Sequence, residues 1–259
     1  MDVLDFFRLM LSKGASDLFV TVGASPSLKV DGQVLPVKTD TLTSETSRQL
    51  VHFLMSDAQR RQFETDKDAN FAVNPEGLGR FRVNAFQQQG QVGMVIRRIS
   101  AHIPSFEELN LTSPILEKIA MMRRGLVFFV GGTGTGKSST QAAVVGYRNR
   151  HTRGHIVTVE DPIEFVHEHD RCIVTQREVG VDTTSYRSAL ENAMRQAPDV
   201  IQIGEVRTSE TMKSAIVFAE TGHLCLATLH ANNTYQALER IINLYPDDTR
   251  DHLYMDLSM

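Results

Sequence analysis

Val3, Phe6, Phe7, Met10 and Leu11 recur at helical spacing, so an amphipathic helix opens the chain and Gly14 ends it. Strand-like runs follow at residues 18–22 and 28–30. The second turns through Asp31-Gly32 into residues 34–37, because Asp-Gly suits the positive φ angles of a two-residue hairpin turn. Residues 43–64 are helical in pattern, and Ser56 with Gln59 forms a capping box that restarts the helix after a break. Residues 71–99 alternate strand patterns with turn signals at Asn74-Pro75-Glu76-Gly77 and Gln89-Gly90.

A linker at 101–104 leads to a fresh helix start at Ser105, with Glu108 completing a second capping box. Beyond it the period changes. Short β-rich runs at 126–130, 156–159, 172–175, 200–203 and 224–229 are separated by helical stretches, which implies right-handed crossovers and a parallel sheet covered on both faces. The pattern therefore predicts a small α+β domain over 1–100 and an α/β domain over 105–259. In the second, Leu238, Ile241, Ile242 and Tyr245 read as the packed face of a helix over 235–245. Leu253, Tyr254 and Leu257 fall at helical spacing with no stop signal before Met259, so the chain reads as truncated at its C-terminal end.

Composition narrows the partners. The 259 residues hold 27 Lys plus Arg against 31 Asp plus Glu, a net charge of -4. Before residue 100 there are 12 basic and 11 acidic side chains, and after it 15 and 20, so neither part is a basic nucleic-acid surface. Two cysteines, Cys172 and Cys225, build neither a disulfide framework nor a four-cysteine zinc site, and a reducing cytoplasmic setting fits. No apolar run approaches the roughly 20 residues that span a bilayer, and there is no signal-peptide pattern, so any membrane role is peripheral.

The chemistry is concentrated in one motif. Gly131, Gly132, Thr133, Gly134, Thr135, Gly136, Lys137 and Ser138 match G-x-x-x-x-G-K-[ST] directly after an apolar strand and before a helix that opens at Ser139. The glycines let successive N–H groups curl toward phosphate oxygens, and the helix N-terminus adds its dipole. Lys137 would neutralise the β and γ phosphates of ATP or ADP, and Ser138 would offer its hydroxyl to Mg²⁺. Ligands of a parallel sheet bind at the carboxyl ends of the strands, where Glu160, Asp161, Glu164, Glu205 and His230 also fall. Glu164 and Glu205 form the natural pair for orienting water and holding the Mg²⁺ water shell, Glu205 through water. Asp199 and His223 precede their strands and belong at the opposite edge. His167-Glu168-His169 supplies two nitrogens and no third ligand, so it reads as a solvated turn.

These boxes, together with Glu160-Asp161-Pro162-Ile163-Glu164-Phe165, residues 198–207, residues 221–230, Ser16-Asp17-Leu18 and Gly79-Arg80-Phe81-Arg82-Val83-Asn84, resemble the type II/IV secretion ATPase superfamily. The match is nearest to the type IV pilus retraction ATPases of the PilT/PilU family, on the PilU side. The resemblance implies a PAS-like N-terminal domain and a RecA-like P-loop core assembled as a hexameric ring. It makes Glu164 the catalytic glutamate and Glu205 the end of the Walker B strand. It also implies that Arg82 and Arg97 reach the γ-phosphate from the first domain, and that Arg195 is a retained family arginine. Where relatives carry arginine one turn earlier this chain has Glu191, a negative charge expected near the phosphate edge. The resemblance further implies core helices and a C-terminal segment past Met259.

The function so implied is an ATP-hydrolysing cytoplasmic motor for pilus retraction, acting on an inner-membrane platform protein at the inner face of that membrane. One alternative is an accessory nucleotide-binding subunit that docks on a primary, PilT-type retraction ATPase. Another is a pilus-assembly or type II secretion ATPase, although those usually carry an additional N-terminal region and a four-cysteine zinc insertion.

Overall fold

The computed structural model describes residues 2–112 and 114–258; Met1, Ser113 and Met259 lie outside the described residues. The chain falls into two compact units, 1–100 and 101–259.

The first unit opens with α1 (Val3–Ser12). The Asp2 carboxylate accepts from the Val3 N–H at 2.6 Å, and Asp5 accepts from the Asp2 N–H at 3.2 Å. Val3, Phe6, Phe7 and Met10 are buried, and Phe7 stacks on Phe81 at 4.3 Å between ring centroids. Strands β1 (Asp17–Val20), β2 (Ser27–Val30) and β3 (Gln33–Pro36) precede helices α2 (Ser44–Phe53) and α3 (Asp57–Asp66). Strands β4 (Asp68–Val73), β5 (Phe81–Gln88) and β6 (Gln91–Arg98) complete an antiparallel sheet in the order β3-β2-β1-β6-β5-β4. Both hairpin turns take the backbone the sequence demands: Asp31 and Gly32 have φ +49° and +80°, Gln89 and Gly90 +50° and +73°. The break between α2 and α3 is made by Ser56, whose hydroxyl accepts from Gln59 N–H while the Gln59 side chain accepts from Ser56 N–H.

The second unit departs from expectation at its start. The Ser105–Glu108 capping box forms, with Glu108 accepting from Ser105 N–H at 2.7 Å, but no helix follows from it. Asn110 adopts φ +56° and closes the segment as a single turn, which Leu111 N–H seals on the Phe106 carbonyl at 2.7 Å. The helix starts instead at Pro114, a residue favoured at a first helical position. The elements are then α4 (Pro114–Ala120), β7 (Gly125–Val130), α5 (Lys137–His151), β8 (Gly154–Glu160), β9 (Cys172–Glu178), α6 (Tyr186–Ala193), β10 (Val200–Ile203), α7 (Ser209–Glu220), β11 (Leu224–Leu229), α8 (Thr234–Asn243) and α9 (Arg250–Ser258). The five strands form one all-parallel sheet in the order β7-β11-β10-β8-β9.

Successive strand residues face opposite sides, so the inner strands feed two cores, while the edge strand β9 feeds one. On one side Val157, Val159, Ile201, Ile203, Cys225 and Ala227 pack with Leu190, Met212 and Ile241 of the helices. On the other, Ile156, Val174, Val200, Leu224 and Leu226 pack with Ala143 and Val144 of α5. Continuing along that second face toward the carboxyl ends, the same parity delivers Thr158, Glu160, Gln176, Gln202 and Thr228. An apolar core thus gives way to a polar layer beneath one edge of the sheet. On α8 the expected packed face is only partly covered: Ile241 is buried but Leu238 is 49% exposed.

Candidate functional site

The parallel order sets the loops after β7, β8, β10 and β11 at one edge. One cavity there is lined by Thr133, Gly134, Lys137 and Ser138 of the first loop, by Glu160, Asp161 and Glu164 of the second, by Gly204 and Glu205 of the third, and by His230 of the fourth. The glycines of the first loop serve two physical needs. Gly134 and Gly136 take φ +77° and +89°, where a side chain is strained, whereas a Cβ on Gly131 would stand 2.3 Å from Thr135 Oγ1. Thr135 Oγ1 and Lys137 Nζ both donate to the Gly132 carbonyl, at 2.9 and 2.7 Å. The helix α5 begins at Lys137, two residues earlier than the sequence pattern places it, so the N–H groups around Lys137, Ser138 and Ser139 belong to its first turn.

Glu205 is nearly buried and engaged on both oxygens: Arg207 pairs with Oε1, and His230 Nε2 lies 3.5 Å from Oε2. Gly204 is required by crowding, since a Cβ there would meet Tyr186 Oη at 2.8 Å and Glu160 Cα at 3.1 Å. Three buried polar atoms of the lining, Gln141 Nε2, His167 Nδ1 and Gln202 Oε1, have no hydrogen-bond partner among the described residues. Buried polar groups are normally satisfied. Their concentration here, beside the Lys137 ammonium and a helix N-terminus, fits a polyphosphate with a hydrated cation.

Glu160 is the most perturbed acid of this edge. Its Oε1 accepts from Thr158 Oγ1 at 2.6 Å and Gln176 Nε2 at 3.1 Å, yet burial pushes its carboxyl from 4.5 up to about 7. The folded value lies above the unfolded one, so folding favours the protonated acid. The cost of burying Glu160 is absent below about pH 4.5, grows as pH rises toward 7, and is constant above it at about 3 kcal/mol. Glu160→Gln, which keeps the acceptor, is expected to match the parent in urea stability at pH 4.5 and to exceed it by about 3 kcal/mol at pH 8. A difference that does not vary with pH would refute this.

The histidines divide by position. His230 lines the cavity, whereas His223 bonds with Thr221 Oγ1 and the Phe218 carbonyl at the far edge. Asp199 also lies there and accepts from His155 N–H at 2.8 Å. His167-Glu168-His169 is not a solvated turn. His167 is buried against the cavity, its ring held neutral because burial, aided by the Arg150 charge, lowers it to about 4. His169 Nδ1 accepts from Val174 N–H at 3.1 Å. Among the described residues no three His, Cys, Asp or Glu side chains gather as a metal cluster.

Four further residues are not in this lining. Glu191 is corrected from the phosphate edge: it lies in the second half of α6, exposed and paired with Arg187 at 2.9 Å. Arg195 follows α6 in a 3₁₀ turn, ahead of β10, and is exposed. Arg82 and Arg97 belong to the first unit, where they face each other across β5 and β6, and Arg97 Nε donates to the buried Asp17 at 2.8 Å. Conversely, Gln141, Tyr186, Gln202 and Thr228 line the cavity without having been singled out from the sequence. Strand parity could have found two of them, since Gln202 and Thr228 each stand two residues after an inward apolar position.

Residues 5–250 match the family model described as type II/IV secretion system protein. The chain is 57% identical over 259 residues to the type IV pilus ATPase PilU of Pseudomonas aeruginosa, covering all of this chain and 68% of that protein. It is 39% identical over 250 residues to the type IV pilus retractation ATPase PilT of the same organism, covering 96% and 72%. Among solved structures, the pilus retraction motor PilT with bound ADP superposes with a TM-score of 0.92 at 39% identity, over 100% of this chain and 75% of that one.

Proposed function

Because this chain belongs to the type II/IV secretion system protein family, and within it to the PilT/PilU type IV pilus ATPases, we propose that it is a Mg-ATP hydrolase that drives pilus retraction as a hexameric ring. The observation that carries the reading is the convergence of an intact phosphate loop, Glu164, Glu205 and His230 on one cavity. In this reading residues 131–139 cradle the phosphates through backbone N–H groups, and Lys137 carries the opposing charge. Bound Mg²⁺, held by Ser138 and through water by Glu205, would offset phosphate charge. Glu164 is exposed at the cavity and takes the proton of the attacking water. His230 and Arg207 keep Glu205 oriented.

Arg82 and Arg97 are the proposed charge-stabilising arginines, delivered by the first unit within the assembled ring; Arg97 must first exchange its Asp17 partner. Arg195 lies outside the cavity lining, so its contribution is assigned to contacts made in the ring. The proposed site of action is cytoplasmic, at the inner face of the inner membrane against a platform protein. No described helix is long and apolar enough to cross a membrane.

A second reading, an accessory subunit docking on a PilT-type ATPase, is favoured by the 57% identity to PilU. Mg-dependent ATP turnover, measured alone and mixed with a PilT-type partner, separates the two. Independent turnover supports a motor in its own right. Nucleotide binding with negligible turnover, together with partner docking, supports the accessory role, and absence of nucleotide binding would defeat both.

A further inference from the structure

Glu164 stands on the connection between β8 and β9, residues 161–171, which contains no helix to hold it. A side chain on an irregular loop is precise only where the loop is tied to a rigid element. Asn149 Nδ2 donates to the Glu168 carbonyl at 2.8 Å and Val174 N–H to His169 Nδ1 at 3.1 Å, both beyond His167; around Glu164 itself one amide supplies most of the ties. Gln176 Nε2 donates to Glu160 Oε1 at 3.1 Å and to the Phe165 carbonyl at 2.9 Å, and Gln176 Oε1 accepts from the His167 N–H at 2.7 Å. Both N–H bonds and the oxygen of a single side chain are therefore spent here, one on Glu160 at the end of β8 and two on the connection, on both sides of Val166. Phe165 is the neighbour of Glu164. Two residues along the same strand, and so on the same face, Glu178 accepts from the Ile163 N–H at 3.4 Å.

We infer that Gln176 is a positioning residue for hydrolysis: by tethering Glu160, Phe165 and His167 to β9 it fixes where the Glu164 carboxylate stands over the phosphates. This rests on the reading of Glu164 as the general base. Gln176 is not among the residues lining the nucleotide cavity, so its loss should act on turnover rather than on affinity. Glutamine suits the task because it alone among residues of this length offers two donors and an acceptor without charge beside a buried carboxyl.

The test is Gln176→Leu in the intact protein, with amide hydrogen exchange over 161–171, ADP affinity, KM and kcat as readouts. Exchange at residues 163–169 should be about tenfold faster or more, kcat lower by on the order of 100-fold, and ADP affinity and KM within about threefold of the parent. Parent-like exchange and kcat would overturn the inference. So would a fall in ADP affinity that matches the fall in kcat, since that reports a damaged pocket rather than a displaced base. Gln176→Asn guards against a variant that does not fold: it keeps an uncharged amide but is one methylene too short to hold all three partners, and should lie between parent and Leu in exchange and in kcat. If the parent itself shows no turnover, the hydrolase reading fails while the exchange result still decides the tether.

Discussion

Glu164→Gln is expected to bind ADP and ATP as the parent does and to turn over roughly 10²–10⁴-fold more slowly. The amide keeps the size and hydrogen-bonding reach of the carboxylate but cannot take a proton, so the change isolates proton transfer from shape. Glu164 is exposed and makes no ion pair among the described residues, unlike Glu205. Its substitution therefore disturbs no network that holds the fold. Glu205→Gln differs in kind: it also loosens Arg207 and His230, and should alter Mg²⁺ dependence as well as rate. Single-turnover and steady-state kinetics with a separate binding measurement distinguish these cases. Equal turnover in Glu164→Gln and parent would remove Glu164 from the role of general base and move attention to Glu160, the acid at the end of β8 that lines the same cavity.

That the sequence placed Glu160 at this edge but gave no sign of its burial shows where reading a chain stops. The strands of the parallel sheet were legible because each is a short apolar run bounded by polar residues, and the phosphate loop because its glycines answer steric needs that no other residue meets. The capping boxes at Ser56 and Ser105 were equally visible, yet only the first begins a helix. A capping box satisfies N–H groups locally, whether or not the following residues have a face to bury. Glu160 looks like any acid after a strand. Its character comes from burial beside Thr158 and Gln176, which depends on β9 pairing in register, Glu160 opposite Glu178. Glu191 was misjudged for a related reason: its distance from the phosphates depends on the direction of α6, which only the three-dimensional arrangement supplies. The same holds for Gln176, whose partners lie between 9 and 16 positions away in sequence.

Lys137→Ala is expected to weaken ADP binding by roughly 10²–10³-fold, the consequence of leaving phosphate charge unopposed in a partly enclosed site. In the structure Lys137 Nζ already sits on the Gly132 carbonyl at 2.7 Å, inside the turn it would share with the phosphates. The ammonium is thus pre-placed, and little side-chain entropy remains to be lost on binding. Its one side-chain hydrogen bond among the described residues is within its own loop, so thermal stability without nucleotide should change by less than about 1 kcal/mol, while the stabilisation that saturating ADP gives the parent should vanish. Lys137→Arg is the sharper comparison. It preserves charge but replaces a compact ammonium with a planar fork that does not fit between Gly132 and the phosphates, so it should recover only part of the affinity. Calorimetric titration with ADP, run on all three proteins, reads this directly. Affinity in Lys137→Ala within threefold of the parent would mean that backbone N–H groups alone hold the phosphates, and that the charge of Lys137 acts later, on the transition state.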